Sequence, residues 1–145
     1  MSDAFLETAF TGKTLLIVED DSTLREALVY EFESQGATVF SAENGTIAFD
    51  IISKHTIDGV ISDIRMPGGD GIQLIKHVKN MNYSTPVLMF ITGFSDLDIA
   101  DAYNLGAEAV LKKPFDLDNL VNTVKKMILP KKISGLKILT AVIFH

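Results

Sequence analysis

Five short apolar runs, separated by longer stretches with helical periodicity, constrain this chain more than any other feature. The runs are TLLIV at 14–18, ATVFS at 37–41, GVIS at 59–62, PVLMFI at 86–91 and EAVL at 108–111. Between them, apolar residues recur at the three- and four-residue spacing of helices. Strands that are apolar on both faces need helices on both sides. The alternation therefore predicts an α/β fold with a doubly wound, parallel, five-stranded sheet.

The predicted helices carry recognisable start and stop signals. In chain order they cover residues 22–35, 45–54, 72–81, 95–105 and 117–128. Asp21 and Asp116 are placed to cap the first and last helices, and Ser95 with Asp98 resembles a capping box before the fourth. Gly36 stops the first helix. Each strand is thus followed by a helix, as a parallel sheet requires.

Composition indicates a globular domain and limits its partners. A chain of 145 residues suits one domain with a hydrophobic core, and 47% hydrophobic with 22% charged residues is a folded rather than a disordered composition. The formal net charge is −6, whereas non-specific nucleic-acid binding needs many phosphate-neutralising Lys and Arg. We therefore expect no direct nucleic-acid binding.

The absence of cysteine and of long apolar segments narrows the chemistry and the location. With no Cys, disulfides, thiol nucleophiles and Cys-ligated metals are excluded. The first residues include Asp3 and Glu7 and do not resemble a signal peptide. No stretch approaches the ~18 apolar residues of a membrane span, so we expect no membrane association and a cytoplasmic location.

Polar residues follow the strand candidates at the point where each run ends. Glu19 and Asp20 follow the first, Asp63 the third, Thr92 the fourth, and Lys113 comes shortly after the fifth. Because the carboxyl ends of parallel strands lie on one edge of a sheet, these residues should converge there. Open α/β sheets bind ligands at that edge.

The residue types in this cluster point to phosphoryl chemistry at a metal. Two carboxylates ~4 Å apart repel by ~4 kcal/mol at an effective dielectric constant near 20, so they need a cation. An all-oxygen cluster suits Mg²⁺. A metal ion, the Lys113 ammonium and the Thr92 hydroxyl around one carboxylate can stabilise a phosphoryl group in transfer. Asp63 can be the nucleophile, since carboxylates form aspartyl phosphates.

Four motifs resemble the receiver domain of bacterial two-component response regulators. They are VEDDSTLR at 18–25, DIRMPGGDG at 63–71, ITG at 91–93 and KPF at 113–115. The resemblance implies a flavodoxin-like sheet with strand order 2-1-3-4-5 and five helices. It also implies a receiver domain over 12–129, an N-terminal lead over 1–11 and a C-terminal tail over 130–145.

The resemblance implies a role for each matched residue. Asp63 would accept the phosphoryl group from a phosphohistidine of a sensor histidine kinase or phosphotransfer protein. The side chains of Asp20 and Asp63 would bind Mg²⁺, with Glu19 helping directly or through water and Arg65 lending its backbone carbonyl. The protein would catalyse only its own phosphorylation and dephosphorylation, and phosphorylation would control binding to a downstream protein.

The resemblance also assigns a switch, marks one departure at Val110, and suggests that Arg65 and Phe94 occupy positions that tune hydrolysis. Thr92 would move toward the phosphoryl oxygen, Lys113 would pair with it, and the Lys113–Pro114 peptide would be cis. Where the family often has Tyr or Phe, this chain has Val110, so we expect the Thr92 shift to propagate through backbone and packing changes. We also expect Phe94 to screen the acyl phosphate from water, which would slow dephosphorylation.

Other interpretations of these residues carry less weight. A receiver-like scaffold that never takes phosphate predicts loss of Asp63, Asp20 or Lys113, and all three are present. A flavin carrier would need a phosphate-binding loop after the first strand, where this chain has acidic residues. An aspartate-nucleophile phosphatase usually has a second Asp two residues after the first, where this chain has Arg65. Taken singly, Asp63 could start a turn and Lys113 could be a solvated lysine.

The segment after Leu129 leaves several interpretations open. Its ILTAVIF stretch at 138–144 is uncharged and has high β-propensity, so if exposed it would favour pairing with another chain. It could dock on its own domain, form a homodimer contact, or be the stub of a longer protein. A helix-turn-helix output module would need more residues, so we expect output through another protein unless the chain is a fragment.

Overall fold

The computed structural model describes residues 9–82, 85–93 and 99–129. Within these ranges the chain forms five strands: β1 (Thr14–Val18), β2 (Thr38–Ala42), β3 (Gly59–Asp63), β4 (Val87–Thr92) and β5 (Ala109–Lys112). They alternate with five helices: α1 (Ser22–Glu33), α2 (Gly45–Lys54), α3 (Gly71–Met81), α4 (Ile99–Asn104) and α5 (Leu117–Ile128). All strand pairs are parallel, in the order β2-β1-β3-β4-β5. The predicted fold class and strand order are confirmed.

Helices cover both faces of the sheet, because successive side chains of a strand point to opposite faces. In β1, Leu16 and Val18 face one core, whereas Leu15 and Ile17 face the other. The first core is closed by α2, α3 and α4 through Ala48, Ile52, Leu74, Ile75, Val78 and Ala102. The second is closed by α1 and α5 through Leu28, Phe32, Leu120, Val121 and Val124. This is the doubly wound arrangement that the apolar strands predicted.

Strand boundaries differ from the prediction by one residue, and the shift concerns the site. The strands β3, β4 and β5 extend to Asp63, Thr92 and Lys112, because the ladder continues with Asp63 opposite Ile91 and Thr92 opposite Lys112. The apolar runs predict strands that end one residue earlier, with these residues just beyond them. Asp63 and Thr92 are therefore held by the sheet itself rather than by flexible loops.

Helix ends follow their local signals. The side chains of Asp21, Asn44, Asp70 and Asp116 each accept a backbone N–H in the first turn of a helix, which is how short polar residues cap helices. The helix α1 ends at Glu33, two residues earlier than predicted, and Gly36 follows with a φ of 95°. The proposed capping box at Ser95 and Asp98 lies outside the described residues.

The N-terminal side of the fold begins earlier than the motifs indicated. Phe10 is fully buried, and its ring lies 5.5 Å from that of Phe32 in an edge-on arrangement. Residues 1–8 and the segment 130–145 lie outside the described residues, so the division of the chain at residues 12 and 129 stays a prediction. Among the described residues, no helix has the length and apolar character that a bilayer crossing requires.

Candidate functional site

The acidic end of β1 supplies two of the predicted site residues. The Glu19 N–H donates to the Ala42 carbonyl at 3.0 Å, so this backbone stays aligned with β2. The Glu19 side chain is buried, whereas Asp20 is exposed. The Glu19 Oε2 atom accepts a hydrogen bond from the Asp21 N–H at 3.1 Å. One carboxylate therefore lies inside the sheet edge and the other at its surface.

Asp63 lies at the centre of the cluster, as the last residue of β3. It is 7% exposed, and its Oδ1 atom accepts a hydrogen bond from the Ile64 N–H at 2.8 Å. The Ser62 hydroxyl donates to the Asp63 carbonyl at 2.7 Å. The Ile64 N–H thus orients the Asp63 carboxylate, and Ser62 holds the Asp63 backbone.

Lys113 brings a positive charge to this carboxylate from the end of β5. Its backbone N–H donates to the Thr92 carbonyl at 2.9 Å. Its Nζ atom lies 3.1 Å from Asp63 Oδ2 and 3.9 Å from Glu19 Oε1. Partial burial lowers the pKa of Lys113, but the hydrogen bond and charge of Asp63 outweigh it, and the pKa is raised overall. The Lys113–Pro114 peptide is cis, as predicted.

Glu19 shows that the site has an excess of negative charge. Burial, reinforced by the nearby Asp63 carboxylate, raises the pKa of Glu19 from 4.5 to about 7, although the Asp21 N–H and Lys113 oppose the shift. Its Oε1 atom is buried and finds no hydrogen-bond donor among the described residues. Buried acceptors are normally satisfied. An unsatisfied carboxylate oxygen at this edge indicates room for a cation.

The donor set fits a hard divalent ion. One carboxylate oxygen from each of Glu19, Asp20 and Asp63 can be chosen so that all lie within 4.8 Å of one another. Oxygen-only ligands without His or Cys suit Mg²⁺. Glu19, whose Oε1 atom is unsatisfied, is one of these three residues. The residues present are therefore those that would hold the ion.

Thr92 and Arg65 each lie close to one member of this cluster, Thr92 to Lys113 and Arg65 to Asp63. The predicted roles of both residues involve a phosphoryl group or a metal ion. Thr92 is buried at the end of β4, and its hydroxyl donates to the Gly93 carbonyl at 3.0 Å. Arg65 is exposed and follows Asp63 by two residues. The cluster formed by Glu19, Asp20, Asp63 and Lys113 is thus assembled, whereas the switch function of Thr92 and the carbonyl ligand from Arg65 stay predictions. Phe94 lies outside the described residues.

The loop after Asp63 is fixed by contacts with the beginning of α2, which no motif in the sequence indicates. The Gly45 N–H donates to the Gly69 carbonyl at 2.8 Å, and the Thr46 hydroxyl donates to the Gly68 carbonyl at 2.7 Å. At Gly71 a Cβ atom would lie 2.5 Å from the Asp63 carbonyl oxygen, so the close approach requires glycine. The beginning of α2 therefore holds the loop that follows the acidic strand end.

A second missed residue is Arg25, on the first turns of α1. Its Nη1 atom donates to the Glu19 carbonyl at 2.6 Å. A signal was present in the sequence, since a lone arginine follows the acidic residues within the VEDDSTLR motif. The sequence alone did not distinguish a guanidinium that reaches back to this loop from one that points into solvent.

Comparison with known proteins agrees with this geometry. The model of the response regulator receiver domain family matches residues 15–125. The chain is 41% identical over 113 residues to the DNA-binding transcriptional regulator NtrC of Escherichia coli, covering 77% of this chain but 24% of the relative. It is 36% identical over 116 residues to sporulation initiation phosphotransferase F of Bacillus subtilis, covering 79% of this chain and 93% of the relative.

Solved structures give the same result. The response regulator TrrA from Thermotoga maritima, in complex with Mg²⁺-BeF, has a TM-score of 0.71 and 30% identity, covering 79% of this chain and 98% of that one. The chain spans about a quarter of the length of the NtrC relatives it matches. Together these matches show that the chain belongs to the response regulator receiver domain family, the phosphorylation-controlled signalling modules of two-component systems.

Proposed function

We propose that Asp63 is the phosphoryl acceptor of this receiver domain, and that transfer from a phosphohistidine depends on Mg²⁺ held by Glu19, Asp20 and Asp63. The observation that carries the proposal is the position of Asp63 between an ammonium and two further carboxylates. Lys113 Nζ lies 3.1 Å from Asp63 Oδ2, and the three acidic oxygens lie within 4.8 Å of one another. Arg65 would add its backbone carbonyl to the metal ligands.

The transfer can be written from the residues of this chain. An oxygen of the Asp63 carboxylate attacks phosphorus, and the P–N bond of a phosphohistidine protonated on its other ring nitrogen breaks. The electron pair of that bond stays on the ring, so an acyl phosphate and a neutral imidazole result. The Ile64 N–H on Oδ1 and Lys113 on Oδ2 hold the nucleophile in one orientation before attack. When bound, Mg²⁺ supplies charge neutralisation on the phosphoryl oxygens. Lys113 supplies a further positive charge.

The donor would reach Asp63 over an apolar hollow beside the site. The hollow is lined by Leu24, Ala27, Gly93, Lys113, Pro114, Phe115 and Leu117. Apolar surface next to a charged site is suited to docking a protein rather than a small ion. A sensor histidine kinase or a phosphotransfer protein is therefore the donor we propose, and a downstream protein is the target of the phosphorylated form.

Thr92 is the switch residue in this proposal. Its hydroxyl now donates to Gly93 and would have to exchange that bond for the phosphoryl oxygen. Val110, half-buried at the centre of β5, has no ring to rotate, so the change would travel through the Thr92–Lys112 pairing of the sheet. Thr92→Ala should therefore be phosphorylated while the amide signals of β5 no longer respond.

The measurement is the change in amide chemical shifts of β5 on addition of Mg²⁺ and acetyl phosphate. Thr38→Ala, at an exposed position of β2, is the matched control and should respond as the wild type does. Equal responses in Thr92→Ala and wild type, at equal phosphorylation, would rule out the Thr92 hydroxyl as the coupling element.

The phosphoryl acceptor itself can be tested by mass. The chain is incubated with Mg²⁺ and acetyl phosphate, and its intact mass is compared with that of Asp63→Asn and Asp70→Asn. Asp70 lies in the same loop but caps α3, so its variant should still gain one phosphoryl group. Asp63→Asn should gain none, because an amide is not a nucleophile for this step.

The alternative function is that of a phosphorylation-independent scaffold. It would require an unmodified wild-type mass in the same experiment and partner binding unaffected by the phosphodonor. A turnover enzyme is not part of the proposal, since the module would act only on its own phosphoryl group. The cytoplasmic location expected from the sequence stays a prediction.

A further inference from the structure

Arg25 connects the first helix to the backbone that carries two of the acidic site residues. Its Nη1 atom donates to the Glu19 carbonyl at 2.6 Å and lies 3.4 Å from the Asp20 carbonyl oxygen. The side chain is half-buried. A guanidinium carries a delocalised charge and several N–H donors, so one side chain can contact both carbonyls.

The contact lies between two other anchors of the acidic turn. On one side, the Glu19 N–H is bound to the Ala42 carbonyl of β2. On the other side, the Asp21 side chain caps α1 by accepting the N–H groups of Thr23 and Leu24. The two carbonyls between these anchors point toward Arg25. Arg25 thus helps to set the planes of these two peptides, and with them the directions in which the Glu19 and Asp20 side chains leave the backbone, alongside the Asp21 N–H that binds Glu19 Oε2.

Arg25 is not a counter-ion of the carboxylates. Its recorded contacts are to carbonyl oxygens, whereas Lys113 is the cation that contacts Asp63 and Glu19. Charge-assisted hydrogen bonds of this kind are stronger than neutral ones. Residues that orient metal ligands from behind typically change metal affinity 10- to 100-fold when removed.

We infer that Arg25 is a positioning residue, which pins the Glu19 and Asp20 carbonyls so that their carboxylates are preorganised for a divalent cation. This inference rests on the proposed function, because the cation is the one that the acidic cluster would bind. It predicts a loss of Mg²⁺ affinity without a matching loss of the phosphorylation rate at saturating Mg²⁺.

The test uses three replacements in the whole chain. Arg25→Met keeps an unbranched apolar stem but neither charge nor donor, Arg25→Gln keeps a neutral donor on a shorter side chain, and Arg25→Lys keeps the charge on an ammonium donor. Lys76→Met, which removes one exposed positive charge from α3, is the matched control. Mg²⁺ dissociation constants are measured by titration calorimetry without phosphodonor, and folding of each variant is checked by urea unfolding.

We expect Arg25→Met to weaken Mg²⁺ binding about 10-fold, Arg25→Lys to restore part of it, and Lys76→Met to stay within about 2-fold. The rate of phosphorylation by acetyl phosphate should reach the wild-type value once Mg²⁺ is raised to saturation. Equal weakening in Arg25→Met and Lys76→Met would reduce the effect to net charge and overturn the inference. So would wild-type Mg²⁺ affinity in a folded Arg25→Met protein.

Different outcomes would contradict the metal site and the role of Arg25. If the wild-type chain binds no Mg²⁺, the proposed metal site is wrong. If the wild type binds Mg²⁺ and loses it in Asp63→Asn while all Arg25 variants bind as tightly as the wild type, the site stands and the role of Arg25 does not.

Discussion

Charged side chains are buried both at the amino ends of the strands (the amino edge) and at their carboxyl ends (the carboxyl edge). The two clusters are built differently. At the amino edge, the Lys79 side chain is 5% exposed, and its Nζ atom lies 2.9 and 2.7 Å from the two carboxylate oxygens of Glu108. The same nitrogen donates to the Pro86 carbonyl at 3.3 Å, and Glu108 Oε1 accepts the Leu88 N–H at 2.7 Å. One positive and one negative charge match here.

At the carboxyl edge the charges do not match. Within the described residues, the ammonium of Lys113 contacts the carboxylates of Asp63 and Glu19, Asp20 adds a third negative charge, and Glu19 Oε1 has no hydrogen-bond donor. A buried acceptor without a partner costs roughly 1–3 kcal/mol. The amino edge is therefore satisfied by the chain itself, whereas under the proposed function the carboxyl edge would be satisfied by a cation and a phosphoryl group. The Lys79–Glu108 pair thus stabilises the fold, whereas the acidic cluster with Lys113 is the candidate binding site.

The largest effect should come from breaking the amino-edge pair. Lys79→Met leaves the Glu108 carboxylate without its cation in a largely buried place, and removal of one partner of a buried pair costs about 3–5 kcal/mol. Because Glu108 keeps 29% of its side chain exposed, we expect the lower end, about 3 kcal/mol in the free energy of unfolding. Urea unfolding in Mg²⁺-free buffer measures it.

Lys54→Met is the control for this variant. Lys54 forms an exposed pair with Asp50 one turn earlier in α2, and such pairs contribute at most a few tenths of a kcal/mol. If both variants lose the same small amount, the amino-edge cluster is not the stabilising element that we describe.

The next effect is stabilisation by Mg²⁺ through the carboxyl edge. A ligand that binds the folded state alone stabilises it by about 2.7 kcal/mol when present at 100 times its dissociation constant. Wild type and Lys79→Met should gain similar amounts of stability from Mg²⁺, whereas Asp63→Asn should lose most of this gain. Thermal unfolding with and without Mg²⁺ provides the measurement. Equal gains in Asp63→Asn would place the ion elsewhere.

The smallest effect should come from relieving the charge excess without a metal. The folded-state pKa of Glu19 is raised to about 7 from 4.5, so between these values the folded state binds more protons than the unfolded state. This group therefore makes the free energy of unfolding fall as pH rises through that window. Glu19→Gln removes the penalty, and we expect about 1 kcal/mol of added stability at pH 8 and less at pH 5.

Urea unfolding in EDTA at the two pH values tests this. Glu26→Gln removes one negative charge from an exposed position of α1. It should leave the pH dependence of the free energy of unfolding unchanged. A Glu19→Gln protein with the pH dependence of the wild type would contradict the assignment of excess charge to this edge.

The sequence by itself determined the fold and which residues meet in the candidate site. Strands such as β1 are apolar on both faces, which leaves a sheet covered by helices on both sides as the favourable solution. In a parallel sheet the residues that end the strands meet at one edge, so Glu19, Asp20, Asp63 and Lys113 could be brought together from their positions alone. The receiver motifs added the strand order and the cis Lys113–Pro114 peptide, both found in the structure.

Only the tertiary structure decided which charges are matched and which are not. Lys79 and Glu108 lie in different elements and gave no motif, because a buried pair depends on where two long side chains end in space. The same holds for the guanidinium of Arg25, which turns back to a carbonyl six residues earlier, and for the Glu19 oxygen left without a donor. Sequence periodicity fixes which face of an element is buried, but the distances between polar atoms follow from packing of the whole molecule.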